Sequence, residues 1–151
     1  MILFKVNVKK LRQNSKVPHR AHISDAGMDF FFCPADGDSI YIEPGTSNLL
    51  QTGVKIEVPQ DCMLQVMNKS GVSSKRSLVT GACVVDCGYD GEIFVNLHNV
   101  GLNAQCIEPG QKIAQGVFVV IKRPSLQETE GNIYPEETSR GPGALGSTGD
   151  S

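Results

Sequence analysis

Residues 83–99, CVVDCGYDGEIFVNLHN, decide the fold more than any other stretch of the chain. A short β-forming run, Cys83–Val85, precedes a turn, and a longer run, Glu92–Asn99, follows it. The turn itself, Gly88–Gly91, contains glycine and aspartate, which are typical of tight connections between strands. The stretch therefore predicts a β-hairpin that carries its polar side chains at the tip.

Similar short runs recur along the chain, and no stretch shows sustained helical periodicity. The most apolar run, Lys112–Ile121, is predicted to be a fully buried strand, and the only predicted helix is Gly71–Arg76 with Ser70 as its N-cap. About ten short strands with little helix indicate an all-β fold, either a distorted jelly-roll barrel or a double-sheet domain. The other predicted strands are Leu3–Val8, Met28–Phe32, Ser39–Glu43, Asn48–Gln51, Val54–Val58, Cys62–Asn68 and Leu78–Thr80.

The 151 residues suffice for one domain with a sizeable core. We expect residues 1–123 to form the β core, and residues 124–151 to form an extended, flexible C-terminal arm, because apolar residues become rare there. The arm ends in RGPGALGSTGDS, residues 140–151, whose glycines and hydroxyls suit a phosphate. It is not a P-loop, since Ser147 stands where the lysine is required and too little chain follows for a helix. We therefore expect a lid that a ligand or another subunit must order.

Charge and composition exclude several classes of protein. The formal net charge is −2, which lacks the basic footprint of a nucleic-acid binder. The opening residues alternate apolar and charged side chains, so neither a signal peptide nor a membrane span is predicted. Five cysteines without a CxxC pair indicate reduced thiols and a cytoplasmic location, in the host cell if the protein is viral. A zinc site at Cys83 and Cys87 is disfavoured, because no second pair of ligands lies nearby.

Five segments are richer than their surroundings in residues of the types that form functional sites. Lys69 and Ser70 open the predicted helix at the end that attracts anions. Asp86 alone would be a turn former, but Tyr89 adds an aromatic ring three residues later, which could pack on a sugar. The segments read AGMDF, KSGV, CVVDCGYDGE, GQKIAQ and RGPGALGSTG along the chain.

In this order the segments resemble the five motifs of the trimeric, all-β dUTP diphosphatases (dUTPases), roughly AGxDL, RSGL, GxIDxxYxGE, GxxIAQ and RGxGGFGSTG. The resemblance runs from about residue 26 to residue 149. It implies a jelly-roll fold, a homotrimer with shared active sites, and hydrolysis of dUTP to dUMP and pyrophosphate assisted by Mg²⁺. Binding of nucleic acid or membrane is not implied.

The resemblance also assigns roles to individual residues on the nucleoside side of the site. Asp86 stands at the position of the general base, which deprotonates the attacking water. Tyr89 would stack under the deoxyribose and exclude a 2′-hydroxyl, and Leu145 of the lid would cover the base. The remaining nucleoside-binding positions are Thr80, Gly81, Ala82, Cys83, Val84, Val85 and Phe94.

On the phosphate side, Asp29 matches the acid that touches Mg²⁺ through water. Arg140 would pair with the γ-phosphate after the arm of a different subunit closes over the site. The other phosphate-binding positions are Lys69, Ser70, Gly71, Gln115, Gly146, Ser147 and Thr148.

Three departures from the motifs bear on affinity and base selectivity. Lys69 replaces an arginine and loses its two-pronged grip on phosphate. Leu145 replaces a phenylalanine that stacks on uracil, and Cys83 adds a side chain where glycine is common. These changes leave open a nucleotide-binding regulatory module with little turnover, or a broader dUTP and dCTP pyrophosphatase. Deamination of dCTP is disfavoured, because Asn96 stands where the related deaminases need a glutamate.

Overall fold

Eleven strands and one helix are found in residues 4–142, the part of the chain that this computed structural model describes. The all-β prediction with a single short helix is therefore confirmed for these residues. The strands are β1 (Val8–Lys10), β2 (Met28–Phe31), β3 (Ile40–Ile42), β4 (Ser47–Gln51), β5 (Val54–Ile56), β6 (Cys62–Met67), β7 (Leu78–Thr80), β8 (Val84–Val85), β9 (Phe94–Asn99), β10 (Gln105–Ile107) and β11 (Lys112–Val120), and the helix is α1 (Ser70–Arg76).

Two larger sheets enclose the core. One has the strand order β2-β11-β6-β8 and the other β4-β9-β7, while β1 pairs with β5 and β10 with β3. The strand pairs of both larger sheets are antiparallel, and their strands β6 and β9 bury every second side chain. Phe30, Leu64, Leu97 and Ile113 are at most 1% exposed and lie in the same apolar cluster. The core therefore lies between faces of the sheets.

The predicted hairpin at residues 83–99 is wrong. β8 pairs with β6, through Leu64 opposite Val85, whereas β9 pairs with β4 on one side and β7 on the other. The reason is the alternation of β9, which buries every second side chain and fits a central strand with two neighbours. The segment between β8 and β9 therefore crosses from one sheet to the other.

Three further expectations need correction. β11 is buried only in its first half, and Val120 at its end is 76% exposed, so this strand is not fully buried. Helix α1 begins one residue earlier than predicted: Lys69 is its N-cap residue, Ser70 lies inside the helix, and no side chain caps it. The first strand is β1 rather than 3–8, and the sequence pattern does not predict β10 at all.

Helix α1 is short and none of its residues is fully buried, although Val72 packs partly against the core. Its last residue, Arg76, also ties it to the chain before β11 through hydrogen bonds to Gln105 Oε1 at 3.1 Å and Gln111 Oε1 at 3.2 Å. Arg76 also donates to the carbonyl of Cys106. Among residues 4–142, no helix is long and apolar enough to cross a membrane.

Candidate active site

A cavity of about 580 Å³ lies against the outer face of β9. Phe94 and Asn96 of β9 and Leu49 of β4 form one side of it, and the segment 82–89 forms the other. Most of the residues that line the cavity belong to the motif around Asp86, residues 83–92. The lining consists of Leu49, Val66, Ala82, Cys83, Val84, Val85, Asp86, Cys87, Gly88, Tyr89, Glu92, Ile93, Phe94 and Asn96.

Asp86 follows β8 directly and its carboxylate is exposed along this lining. A tight turn fixes its position, because Tyr89 N donates to the Asp86 carbonyl at 3.2 Å and Gly88 adopts φ +86°. Only glycine takes up that left-handed conformation without strain. The ion pairs formed within residues 4–142 do not include Asp86. Its carboxylate is thus available to a water or a substrate.

Tyr89 lines the cavity and is held in place by its own hydroxyl, which donates to the Glu92 carbonyl at 2.9 Å. The ring lies so close to Gly91 that a Cβ built there would sit 2.3 Å from the Tyr89 hydroxyl oxygen. Glycine at position 91 is therefore required for this placement of the ring. The ring remains 47% exposed, which leaves one surface open for stacking.

Glu92 anchors this segment to the rest of the fold, a role that sequence reasoning missed. Its carboxylate forms an ion pair with Arg12 and accepts from Gly53 N at 2.7 Å. Arg12 also donates from Nη2 to the Cys33 carbonyl at 2.7 Å. The hydrogen bond to Glu92 raises the pKa of the Arg12 guanidinium above its ordinary value, even though partial burial opposes the shift.

Of the residues assigned to the nucleoside, Ala82 to Val85, Tyr89 and Phe94 line the cavity. Thr80 and Gly81 lie beside the lining rather than in it. Thr80 N donates to Asn68 Oδ1 at 2.7 Å, and Gly81 N donates to the Asn96 carbonyl at 2.9 Å. These bonds hold the start of the segment between Asn68 and β9. Leu145 is outside the described residues.

On the same sheet as β8, three charged residues form what we call the lysine–aspartate cluster: Asp29 on β2, Lys112 on β11 and Lys69 just after β6. Asp29 is 4% exposed. Its Oδ1 accepts from Lys69 Nζ at 2.7 Å. Its Oδ2 lies 2.7 Å from Lys112 Nζ, an ion pair that lacks the geometry of a hydrogen bond. Burial raises the pKa of the Asp29 carboxyl, but the two lysines outweigh burial and hold it below its ordinary value.

The other described residues that are predicted to bind phosphate lie around this cluster or on the surface. Gln115 pairs with Asp29 across the strands, and its Nε2 donates to the Asn68 carbonyl at 2.8 Å. Ser70 and Gly71 are exposed in the first turn of α1, and Arg140 is exposed in the C-terminal segment. None of these residues, nor Lys69, lines the cavity against β9. Gly146, Ser147 and Thr148 lie outside the described residues.

The side chains of the lysine–aspartate cluster fit a metal ion that is coordinated mainly by water and substrate oxygens. Within residues 4–142, no group of three or more His, Cys, Asp and Glu side chains could hold a metal ion. Asp29 supplies one carboxylate, whose Oδ2 has no hydrogen bond among the described residues. Mg²⁺ retains several waters and binds through one or two carboxylates together with substrate phosphates. Asp29 therefore fits contact with such an ion through water, and the described residues do not form a cage of protein side chains here.

These features place the protein in the class of all-β domains that have an exposed carboxylate in a cavity and a separate cluster of lysines around a buried aspartate. The model of the dUTPase family matches residues 13–149. The chain belongs to the dUTPase family. The deoxyuridine 5′-triphosphate nucleotidohydrolase of Clostridium tetani is 36% identical over 151 residues, 99% of each chain, and that of Rickettsia bellii is 37% identical over 152 residues, 99% of this chain and 98% of the relative.

Solved structures agree with this assignment. The dUTPase of Staphylococcus bacteriophage 80alpha with dUpNHpp has a TM-score of 0.86 and 28% identity, over 96% of this chain and 98% of that chain. A mutant dUTPase from phage phi11 of S. aureus, described with a structural Mg(II) ion, has a TM-score of 0.78 and 26% identity, over 87% of this chain and 100% of that chain. The jelly-roll prediction is thereby confirmed.

Proposed function

We propose that the protein hydrolyses dUTP between the α- and β-phosphates, giving dUMP and pyrophosphate. The observation that carries this proposal is the exposed Asp86 carboxylate in a nucleoside-sized cavity, three residues from a tyrosine ring that its own hydrogen bond holds in place. Membership of the dUTPase family and the dUTP analogue bound by the phage 80alpha relative support the same substrate.

In this reaction Asp86 orients a water behind the α-phosphorus and accepts its proton as the water attacks. The bond between the α-phosphorus and the bridging oxygen breaks, and pyrophosphate leaves with that oxygen. Tyr89 stacks under the deoxyribose, where a 2′-hydroxyl would collide with the ring. The backbone of residues 80–85 and Phe94 face the uracil, while Leu145 covers it. Positioning and charge stabilisation supply most of the rate enhancement in such reactions.

The triphosphate would extend from the cavity of one chain towards the lysine–aspartate cluster of a neighbouring chain. Lys69, Ser70, Gly71 and Gln115 would hold its oxygens, and the Lys69 ammonium would exchange Asp29 for a phosphate. Mg²⁺, when bound through water to Asp29, would neutralise charge on the three phosphates. From the arm, Arg140 would pair with the γ-phosphate, and Gly146, Ser147 and Thr148 would donate to phosphate oxygens.

We further propose that the active sites are shared between the chains of a homotrimer. This is supported by the cavity lining, which includes none of the described phosphate residues, so that Lys69 to Gly71 of a neighbouring chain can complete a site. Residues 1–123 would form the core of each subunit, and residues 124–151 would cross to a different one. A cytoplasmic location stays a prediction, supported by the five free cysteines.

The test compares steady-state release of pyrophosphate from dUTP by the native protein and by Asp86→Asn. We expect the variant to lose about 10²- to 10⁴-fold in kcat, the usual contribution of a general base. Asp90→Asn is the matched control, because Asp90 is an exposed carboxylate four residues away that pairs with Lys55. The control should retain nearly native turnover. Equal rates for the native protein and Asp86→Asn would refute the proposed function.

A further inference from the structure

Asn96 is the only amide side chain in the described lining of the nucleoside cavity. It lies in the middle of β9, directly opposite Leu49 of β4. Because side chains alternate along a strand, Phe94, Asn96 and His98 point to the outer face while their neighbours Val95 and Leu97 are buried. The amide is half-buried beside an apolar surface, where a hydrogen-bonding group would meet the edge of a bound ring.

His98 fixes which end of the Asn96 amide is occupied. The Asn96 Oδ1 lies 2.7 Å from His98 Nε2 and accepts from it, which requires the hydrogen of the imidazole to be on Nε2. Gly81 allows this pair to approach, since a Cβ built there would lie 2.1 Å from Asn96 Oδ1 and 2.5 Å from His98 Nε2. His98 therefore holds the Asn96 amide oxygen against Gly81.

The nitrogen of the same amide retains unused donor capacity. Asn96 Nδ2 has two hydrogens, and its partner among the described residues is the Asn48 carbonyl at 3.5 Å, the limit of a hydrogen bond. An amide that could rotate freely would offer either a donor or an acceptor to a ligand. With its oxygen bound to His98, Asn96 offers a donor.

We propose that Asn96, oriented by His98, is a specificity-determining residue that selects uracil over cytosine. Its Nδ2 donates to the 4-carbonyl oxygen of uracil, where cytosine carries an amino group that would place a donor against this donor. His98 acts as a positioning residue, because it sets the amide orientation without touching the base. This inference rests on the proposed function, since it assumes that the cavity takes the pyrimidine of the substrate.

The experiment measures kcat/KM for dUTP and for dCTP with full-length protein. Asn96→Asp replaces the donor with an acceptor, so the ratio of the two values should fall by about 10- to 100-fold, through a loss on dUTP and a gain on dCTP. Asn96→Ser should lower the ratio by about 10-fold, because kcat/KM falls for dUTP and stays unchanged for dCTP. This uncharged variant tests the inference if Asn96→Asp does not fold. His98→Leu frees the Asn96 amide to turn, so it should lower the ratio by raising kcat/KM for dCTP. Loss of a purely structural contact would instead lower kcat/KM for both substrates alike.

Asn103→Asp is the control, because it adds the same charge at an exposed position outside the cavity. In this control, the ratio of kcat/KM for dUTP to that for dCTP should equal the native ratio. Ratios within about 2-fold of native in both Asn96 variants would overturn the inference, because a lost base contact costs more than that. The ratio of affinities for dUMP and dCMP, measured by calorimetry, gives the same information without turnover. A native protein that binds both nucleotides but cleaves neither triphosphate would refute the proposed function alone.

Discussion

The cavity around Asp86 and the lysine–aspartate cluster differ in how their charged groups are satisfied. In the cavity, Asp86 is exposed and takes no part in the ion pairs of residues 4–142. In the cluster, Asp29 is 4% exposed and both of its oxygens lie 2.7 Å from a lysine Nζ. One region is ready to receive a ligand, and the other must exchange partners first.

This difference has an energetic consequence for phosphate binding. Lys69 is committed to Asp29 in the described structure, so its interaction with a phosphate replaces an existing hydrogen bond. Lys112, which also pairs with Asp29, would keep the Asp29 charge compensated if Lys69 turned to a phosphate. The net gain from Lys69 is therefore smaller than that of an unpaired cation, since loss of a buried ion pair offsets part of it.

After Asp86→Asn, removal of residues 140–151 should have the largest effect on turnover. In the proposed reaction, Arg140 and the glycine-rich end would supply charge and donors to the phosphates, and loss of such groups costs on the order of 10²- to 10³-fold in kcat. The thermal midpoint should stay native, because Arg140, Gly141 and Pro142 are exposed and outside the core. A chain that lacks only Asp150 and Ser151 is the control. Native kinetics in the longer truncation would remove the arm from the mechanism.

Substitution of the two lysines should separate binding from stability. Lys69→Met and Lys112→Met each leave Asp29 with one partner, so each should lower the free energy of unfolding by about 1 kcal/mol, a small value because the lysines are partly exposed. Only Lys69→Met should also lower kcat/KM for dUTP, by about 10- to 100-fold, through loss of a charged contact. Urea unfolding and steady-state kinetics give the two values. Equal losses of kcat/KM in Lys69→Met and Lys112→Met would contradict a phosphate-binding role for Lys69 and leave it a structural role alone.

A smaller effect is expected from Gly91→Ala in the cavity region. The added methyl would meet the Tyr89 hydroxyl oxygen at 2.3 Å and force the ring away. We expect kcat/KM for dUTP to fall by about 10-fold and discrimination against UTP to weaken, because the sugar loses its oriented partner. Gly131→Ala is the control, since a Cβ there would meet Thr129 Oγ1 at an ordinary 3.7 Å. Unchanged sugar discrimination in Gly91→Ala would contradict the role given to Tyr89.

The two regions also differ in what the sequence can predict. Most strands follow from local alternation, and the residues near Asp86 group together because they are contiguous in the chain. The predicted hairpin is wrong because local turn residues do not reveal which sheet a strand joins. β9 alternates like any half-buried strand, and only long-range pairing with β4 and β7 settles its place.

Contacts between distant segments account for the residues that sequence reasoning missed. Lys112 on β11 reaches Asp29 on β2, and Arg12 reaches Glu92 from 80 positions earlier. A lysine before an apolar strand and an arginine in an N-terminal segment resemble ordinary surface residues. No periodicity or spacing connects them with their partners, so the fold itself is needed to identify them.

The central claim is that the cavity of one chain and the arm of another form a single active site. The most direct measurement is the dUTP turnover of oligomers assembled from two inactive chains, Asp86→Asn and the chain that lacks residues 140–151. If the parts come from different chains, random assembly should restore about a quarter of the native activity, because that share of the sites contains both intact parts. Activity no greater than the sum of the separate variants would contradict the claim.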